Sequence, residues 1–222
     1  MSAAFRLIVF DLDGTLVDSR RDIADSANLL VEACGARRLS EEAIGGMVGD
    51  GAATLVARVF AAVGLEPPAD ALQRFLAIYD TRLLAHTRAY PRMSEVLGEL
   101  GAHAALAVLT NKPLAATRVI LDGLGLAGHF APDAVLGGDG PFPRKPAPDA
   151  LRHLMARAGV GPTDTLMVGD SVIDWRTAVA AATASCLARY GFGFDGVPLD
   201  ALRPEDRVID APADLLAILP IP

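Results

Sequence analysis

Short, unbroken apolar runs recur along the chain, and most end on Asp, Thr or Gly. FRLIVF at Phe5–Phe10 runs into Asp11, and AALAVL at Ala104–Leu109 into Thr110-Asn111-Lys112. Ala134–Leu136 runs into Gly137-Gly138-Asp139, and TLMV at Thr165–Val168 into Gly169-Asp170-Ser171. Ser185–Ala188 and a weaker run, Arg207–Ile209, complete the series. Runs of this length without polar alternation predict strands buried on both faces. Between them a helical period covers Ser94–Leu100, Leu114–Leu124, Asp149–Ala158 and Val172–Ala182. Strands alternating with helices predict an α/β fold, a doubly wound parallel sheet with a Rossmann-like core.

One region breaks the alternation. Residues 18–86 contain no convincing strand, but they carry three apolar faces at helical spacing. These are Ile23, Ala27, Leu30 and Val31; then Leu55, Val56, Val59, Phe60 and Val63; then Leu72, Phe75, Leu76, Tyr79 and Leu83. Glycines at 45, 46, 49 and 51 and the pair Pro67-Pro68 punctuate them. The expected organisation is therefore an α/β core of residues 1–17 and 87–222 with a helical cap of residues 18–86 inserted after the first strand. In an open parallel sheet, ligands bind beyond the carboxyl ends of the strands. The polar residues that end the apolar runs would gather there, under a lid hinged near Asp18 and His86.

Composition narrows the class. The 222 residues carry a formal net charge of −7, so no basic face for nucleic acid is expected. Mean hydropathy is +0.35, yet no apolar run approaches the ~18 residues that a membrane span needs. The first run meets Asp11 before a secretory core could form. Cys34 and Cys186 lie among apolar residues with no metal-binding spacing, which fits buried thiols in a reducing cytoplasm. The chain holds only two lysines, Lys112 and Lys145, against eighteen arginines, and only two asparagines, Asn28 and Asn111. Positions that keep Lys or Asn in such a chain invite attention.

Asp11, Asp13, Asp170 and Asp174 would converge at one sheet edge. Carboxylates so placed repel one another unless a cation sits among them, and oxygen donors without His or Cys suit Mg²⁺. Any one of them could be a helix cap instead, but four converging acids are hard to explain in that way.

Four segments in order carry a resemblance: DLDGTL at Asp11–Leu16, LTNK at Leu109–Lys112, Lys145 in RKPAPDAL, and GDSVID at Gly169–Asp174. They resemble the four motifs of the haloacid-dehalogenase superfamily of aspartyl phosphotransferases, and the helical insert falls where one class of that superfamily carries its cap. LGGDG at Leu136–Gly140, ARYGFG at Ala188–Gly193 and the segment VGDGAATLVARVF at Val48–Phe60 are most similar to phosphoglycolate phosphatases.

The resemblance implies a role for each residue. Asp11 would be the nucleophile that forms an aspartyl-phosphate, and Asp13 the general acid and base. Asp11, the Asp13 carbonyl and Asp170 would ligate Mg²⁺, with Asp174 behind them orienting a bound water or Lys145. Main-chain N–H groups of the loop after Asp11 (Leu12, Gly14), the Thr110 hydroxyl and the Asn111 N–H would hold the phosphoryl group, with Lys145 pairing both Asp11 and phosphate. Gly14 would permit a turn that a side chain blocks. Arg58 could reach a substrate carboxylate or lie on a solvent face. Thr15 and Ser171 read as helix caps or as ligands, Lys112 as facing solvent or the lid hinge, and Trp175 as core. The implied enzyme is a Mg²⁺-dependent, cytoplasmic phosphomonoesterase acting on a small phosphorylated substrate, with 2-phosphoglycolate leading. It would be a monomer or homodimer, with no nucleic acid or membrane partner. Sugar phosphates, nucleotides, a phosphomutase and a non-catalytic receiver-like phospho-acceptor are the alternatives. A dehalogenase would lack an acid at position 13, and a carbon–phosphorus hydrolase would want a cap lysine, of which residues 18–86 have none.

Overall fold

Alternate side chains of the first apolar run pack to opposite sides, which makes the central strand of the sheet. The structure is a computed structural model, described here over residues 5–218. In β1 (Leu7–Phe10), Ile8 and Phe10 join one core cluster and Leu7 and Val9 the other. β4 (Ala105–Leu109) and β6 (Thr165–Gly169) divide in the same way. Leu106, Val108, Leu166 and Val168 face the first cluster; Ala107, Leu109 and Met167 face the second. Helices α5 (Met93–Gly101) and α6 (Leu114–Gly123) cover the first side through Val96, Leu97, Leu100, Ile120 and Leu121. Helices α7 (Asp149–Ala158) and α8 (Val172–Ala181) cover the second through Leu151, Leu154, Met155, Ala178 and Ala181. Because both faces are covered, no polar alternation is needed in these strands.

With β5 (Val135–Leu136), β7 (Ala184–Ala188) and β8 (Arg207–Ile209) the order is β5-β4-β1-β6-β7-β8, all parallel. Leu7 pairs with Ala105 on one side and Thr165 on the other, so the three central strands finish level. The chain builds outward from β1 to one edge and then to the other. β1 and β6 therefore flank the point where the winding reverses, the place where such sheets bind ligands. The predicted strands and helices of the core are present, with ends shifted by one or two residues.

Between β2 (Val17–Asp18) and β3 (Arg88–Ala89) the chain forms α1 (Arg20–Glu32), α2 (Glu41–Gly45), α3 (Ala52–Ala62) and α4 (Ala71–Asp80). The three predicted apolar faces lie on α1, α3 and α4, except that Val63 caps α3 and Leu83 lies in the turn after α4. Two features were not read from the pattern. Antiparallel β2 and β3 clasp where the helices leave and return, and α2, five residues long, is too short to show a period. Two side chains depart from expectation. Trp175 is only half-buried, and its indole Nε1–H donates to the buried Asp206 at 3.1 Å. Cys186 is buried in β7, but Cys34 is only partly so. Among the described residues, no helix is long and apolar enough to cross a membrane.

The exit and return of the helical segment are joined by one buried carboxylate. Asp22, in the first turn of α1 and fully buried, accepts at Oδ2 from the His86 N–H, the Thr87 N–H and the Thr87 hydroxyl, each at 2.8 Å. Removing that acceptor strands buried donors. Asp22→Ala should destabilise the fold by about 3 kcal/mol, lowering Tm by roughly 6–12 °C for a chain of this size. Asp22→Asn keeps an oxygen acceptor and should recover most of the loss. Equal melting of Asp22→Ala and the parent would show that the clasp carries no stability.

Candidate active site

Three strand ends deliver the acids and hydroxyls to one place. Asp11 follows β1 and is held level with β6 by its N–H, which donates to the Val168 carbonyl at 2.8 Å. The loop then folds back on itself: the Leu16 and Val17 N–H groups donate to the Leu12 carbonyl, and the Gly14 N–H to that of Val17. The turn takes Gly14 to φ +84°, and a Cβ there would overlap the Asp170 carboxylate. A Cβ at Gly191 would overlap both Asp170 and the Gly14 carbonyl. Two bare backbone segments thus wall in Asp170, whose Oδ2 accepts from the Gly193 N–H at 2.8 Å. The confinement by Gly191 and Gly193 was not assigned from sequence, although ARYGFG marked the segment.

Lys145 is the cation of the cluster. Its side chain is 2% exposed, and Nζ lies 2.7 Å from Asp11 Oδ1 and 2.6 Å from Asp174 Oδ1. Asp174 turns its other oxygen to the Ser171 hydroxyl and N–H, at 2.7 and 3.1 Å, where Ser171 caps α8. Asn111 explains its own presence in an asparagine-poor chain. Its Oδ1 accepts from the Lys145 N–H at 2.9 Å, and its amide donates to the Lys145 carbonyl at 3.0 Å and to the Gly49 carbonyl at 2.8 Å. The side chain therefore locks the lysine loop in place, a task distinct from the main-chain role the motif suggested. The Thr110 hydroxyl accepts from the Lys112 N–H at 3.2 Å.

Of three positions read in two ways, Lys112 leaves its solvent-facing reading, Arg58 takes the solvent face, and Thr15 loses its helix-cap reading. Lys112 is buried, not solvent-facing: Nζ sits 3.0 Å from Asp13 Oδ2 and 2.8 Å from the Tyr79 hydroxyl of α4. Arg58 is exposed, paired with Asp50 at 2.6 Å and bonded to the Met47 carbonyl, and does not line the cavity above Asp11. Thr15 is buried in the loop and caps no helix; Ser19 precedes α1 and donates to Asp13 Oδ1 at 2.5 Å.

The electrostatics follow from burial. Desolvation pushes the Asp11 carboxyl up to about 6, with Lys145 pulling it back and Asp174 and Asp13 adding to the rise. Asp170 is pushed well above the usual carboxylate range, first by burial and then by Asp174 and Asp11. For Lys145, burial favours loss of the proton, but Asp11 and Asp174 outweigh it and hold the ammonium charged. Oxygens of Asp11, Asp170 and Asp174 lie within 4.8 Å of one another. Among the described residues, the cations paired with Asp11, Asp13 and Asp174 are Lys145 and Lys112, so four ionised carboxylates would leave the cluster two charges short of neutral. A hard divalent cation fits this all-oxygen set and that deficit.

The fold and this arrangement define a class. The family model for haloacid dehalogenase-like hydrolases matches residues 5–182, and the chain belongs to that family. Among its relatives, the phosphoglycolate phosphatase of Rhodospirillum rubrum is 42% identical over 86% of this chain and 83% of its own length. That of Vibrio parahaemolyticus is 36% identical over 97% and 96%. A solved structure of a predicted phosphoglycolate phosphatase from Haemophilus somnus superposes with a TM-score of 0.87 at 32% identity, covering 96% of this chain and 97% of the other. The chain is a hydrolase of this kind.

The charge deficit makes the acid cluster costly without a cation. Asp170→Asn should therefore stabilise the fold in chelator by about 1–2 kcal/mol of relieved repulsion, a Tm rise of roughly 2–8 °C, while removing turnover in Mg²⁺. A variant that melts below the parent in chelator would contradict the repulsion.

Proposed function

We propose that the protein is a Mg²⁺-dependent phosphomonoesterase working through an aspartyl-phosphate on Asp11, with 2-phosphoglycolate as its substrate. The observation that carries this is Lys145 bridging Asp11 and Asp174. An ammonium beside the nucleophile lets two anions, carboxylate and phosphate, approach each other. In this reading Asp11 Oδ attacks phosphorus and the ester P–O bond breaks. The leaving alkoxide takes a proton from Asp13, because a glycolate oxygen is a poor leaving group unprotonated. Water then attacks the same phosphorus and gives its proton to Asp13, phosphate leaves, and Asp11 is restored. The Leu12 N–H, the Thr110 hydroxyl and the Asn111 N–H hold the phosphoryl oxygens; the Gly14 N–H, expected among them, is instead taken by the Val17 carbonyl at 2.9 Å. Asp11, the Asp13 carbonyl and Asp170 would hold Mg²⁺, with Asp174 behind them. The ion supplies charge neutralisation that brings nucleophile and phosphate together.

Residues 18–86 act in this account as a cap domain over a core of 1–17 and 87–222. Ile23, Val48, Leu55, Phe75 and Leu76 come from that segment and line a cavity of about 60 Å³ above Asp11. The relatives named phosphoglycolate phosphatase support the same substrate. The expected partner is this small phosphorylated molecule, and the expected compartment the cytoplasm.

A panel of phosphomonoesters assayed with Mg²⁺ should give the highest kcat/KM for 2-phosphoglycolate, and excess EDTA should abolish turnover. Asp11→Asn should fold normally and lose about 10⁴-fold or more in kcat, the scale of losing a nucleophile. Higher kcat/KM for sugar phosphates would overturn the substrate, and an active Asp11→Asn would overturn the nucleophile.

A further inference from the structure

A carboxylate at the far end of the substrate needs a partner in the cavity. The side that faces the helical segment is apolar, and an unpaired anion against it would lose its hydration without compensation. Arg58 is outside and already paired with Asp50. Lys145 is committed to Asp11 and Asp174 and does not line the cavity. Among the described residues, Lys112 is the one cation that does line it.

We propose that the Lys112 ammonium receives the second anionic group of the substrate and so sets selectivity for a short phosphomonoester bearing a carboxylate. This rests on the substrate reading above. An ammonium has three donors. Asp13 Oδ2 takes one and the Tyr79 hydroxyl another, which leaves one for a ligand. Asp13 retains the Ser19 hydroxyl at its other oxygen, so a ligand carboxylate can draw on Lys112 without stripping Asp13 of every partner. The position of Nζ is set from the side of the helical segment. It lies 4.4 Å from the centroid of the Tyr79 ring, and that ring stacks on Phe75 at 5.8 Å and 11°. Lys112 thus stands at the junction of the strand-end loop and α4. Asp11 and Lys112 line the same cavity, so one small substrate can present its phosphoryl group to the first and a carboxylate to the second. The compact ammonium suits this cavity better than a guanidinium, which would span it.

The test compares 2-phosphoglycolate with 2-phosphoglycolamide, a near-isosteric ester whose tail is neutral. The parent enzyme should prefer phosphoglycolate in kcat/KM. Lys112→Met should shrink that preference by roughly 10- to 100-fold, the worth of a charge-assisted hydrogen bond in a desolvated site. Tyr79→Phe keeps the ring and its stacking but frees Nζ, and should shrink the same ratio by a smaller factor. Equal slowing of both esters by Lys112→Met would overturn the proposal, because a purely structural lysine cannot tell the two tails apart. If Lys112→Met does not fold, an unchanged ratio in Tyr79→Phe overturns it instead. A parent enzyme with no preference between the two esters would overturn the substrate reading itself, and this inference with it. A clear parent preference that survives Lys112→Met would overturn this inference alone.

Discussion

Lys145, buried between Asp11 and Asp174, is the interaction on which the rest of the site depends. A parallel sheet brings the ends of β1, β4 and β6 level, and in this sequence those ends carry acids. Burial raises the cost of every negative charge placed there, and each carboxylate raises it for the others. The ammonium offsets part of that cost at 2.7 and 2.6 Å. Breaking such a buried pair costs more than making it gains, so the geometry around the lysine must be held firmly. Asn111 does this through the backbone on both sides of Lys145, and Ser171 steadies Asp174 from the start of α8. The remaining deficit of positive charge is what a hard cation would offset.

The helical segment is tied to this centre by polar contacts as well as by its apolar cavity wall. Asp22 secures its two ends, Asn111 reaches the Gly49 carbonyl, and Lys112 donates to Tyr79. Two of these three contacts use residues of the strand-end loop after β4. A change in how the helices sit would therefore be felt directly at Lys112 and Asn111, which are beside Thr110. The helical segment and the polar residues at the sheet edge are therefore mechanically coupled through this loop. The glycines facing Asp170 play the opposite part, since Gly14 and Gly191 contribute only by having no side chain.

The strand ends were legible because their signal is local. An apolar run followed at once by Asp11, Thr110 or Asp170 states both the strand and where it stops. The helical insert was legible for the same reason, its faces lying within single helices. What could not be read depends on pairing between distant residues. Lys112 is 33 positions from Tyr79, and nothing near it in sequence shows that its ammonium is buried. The clasp of β2 and β3 joins Val17 to Ala89 through only two residues on each side, too few for any period. Asp22 reads as an ordinary acid in the first turn of a helix until the fold returns Thr87 to it. Arg58 had the right charge for a substrate carboxylate, but Asp50, eight positions earlier, already claims it across the start of α3. Trp175 was read as core from its place on α8, yet it stays half-exposed while its one polar atom donates to the buried Asp206 next to β8.

The central claim is that Asp11 becomes covalently phosphorylated. Rapid acid quenching during turnover of 2-phosphoglycolate, followed by borohydride reduction and peptide mass spectrometry, tests this directly. Reduction of an acyl phosphate converts the aspartate to homoserine. The account predicts homoserine at position 11, dependent on substrate and absent at Asp13, Asp170 and Asp174. Full turnover with no reducible acyl phosphate at Asp11, or with the modification at another of these acids, would contradict it.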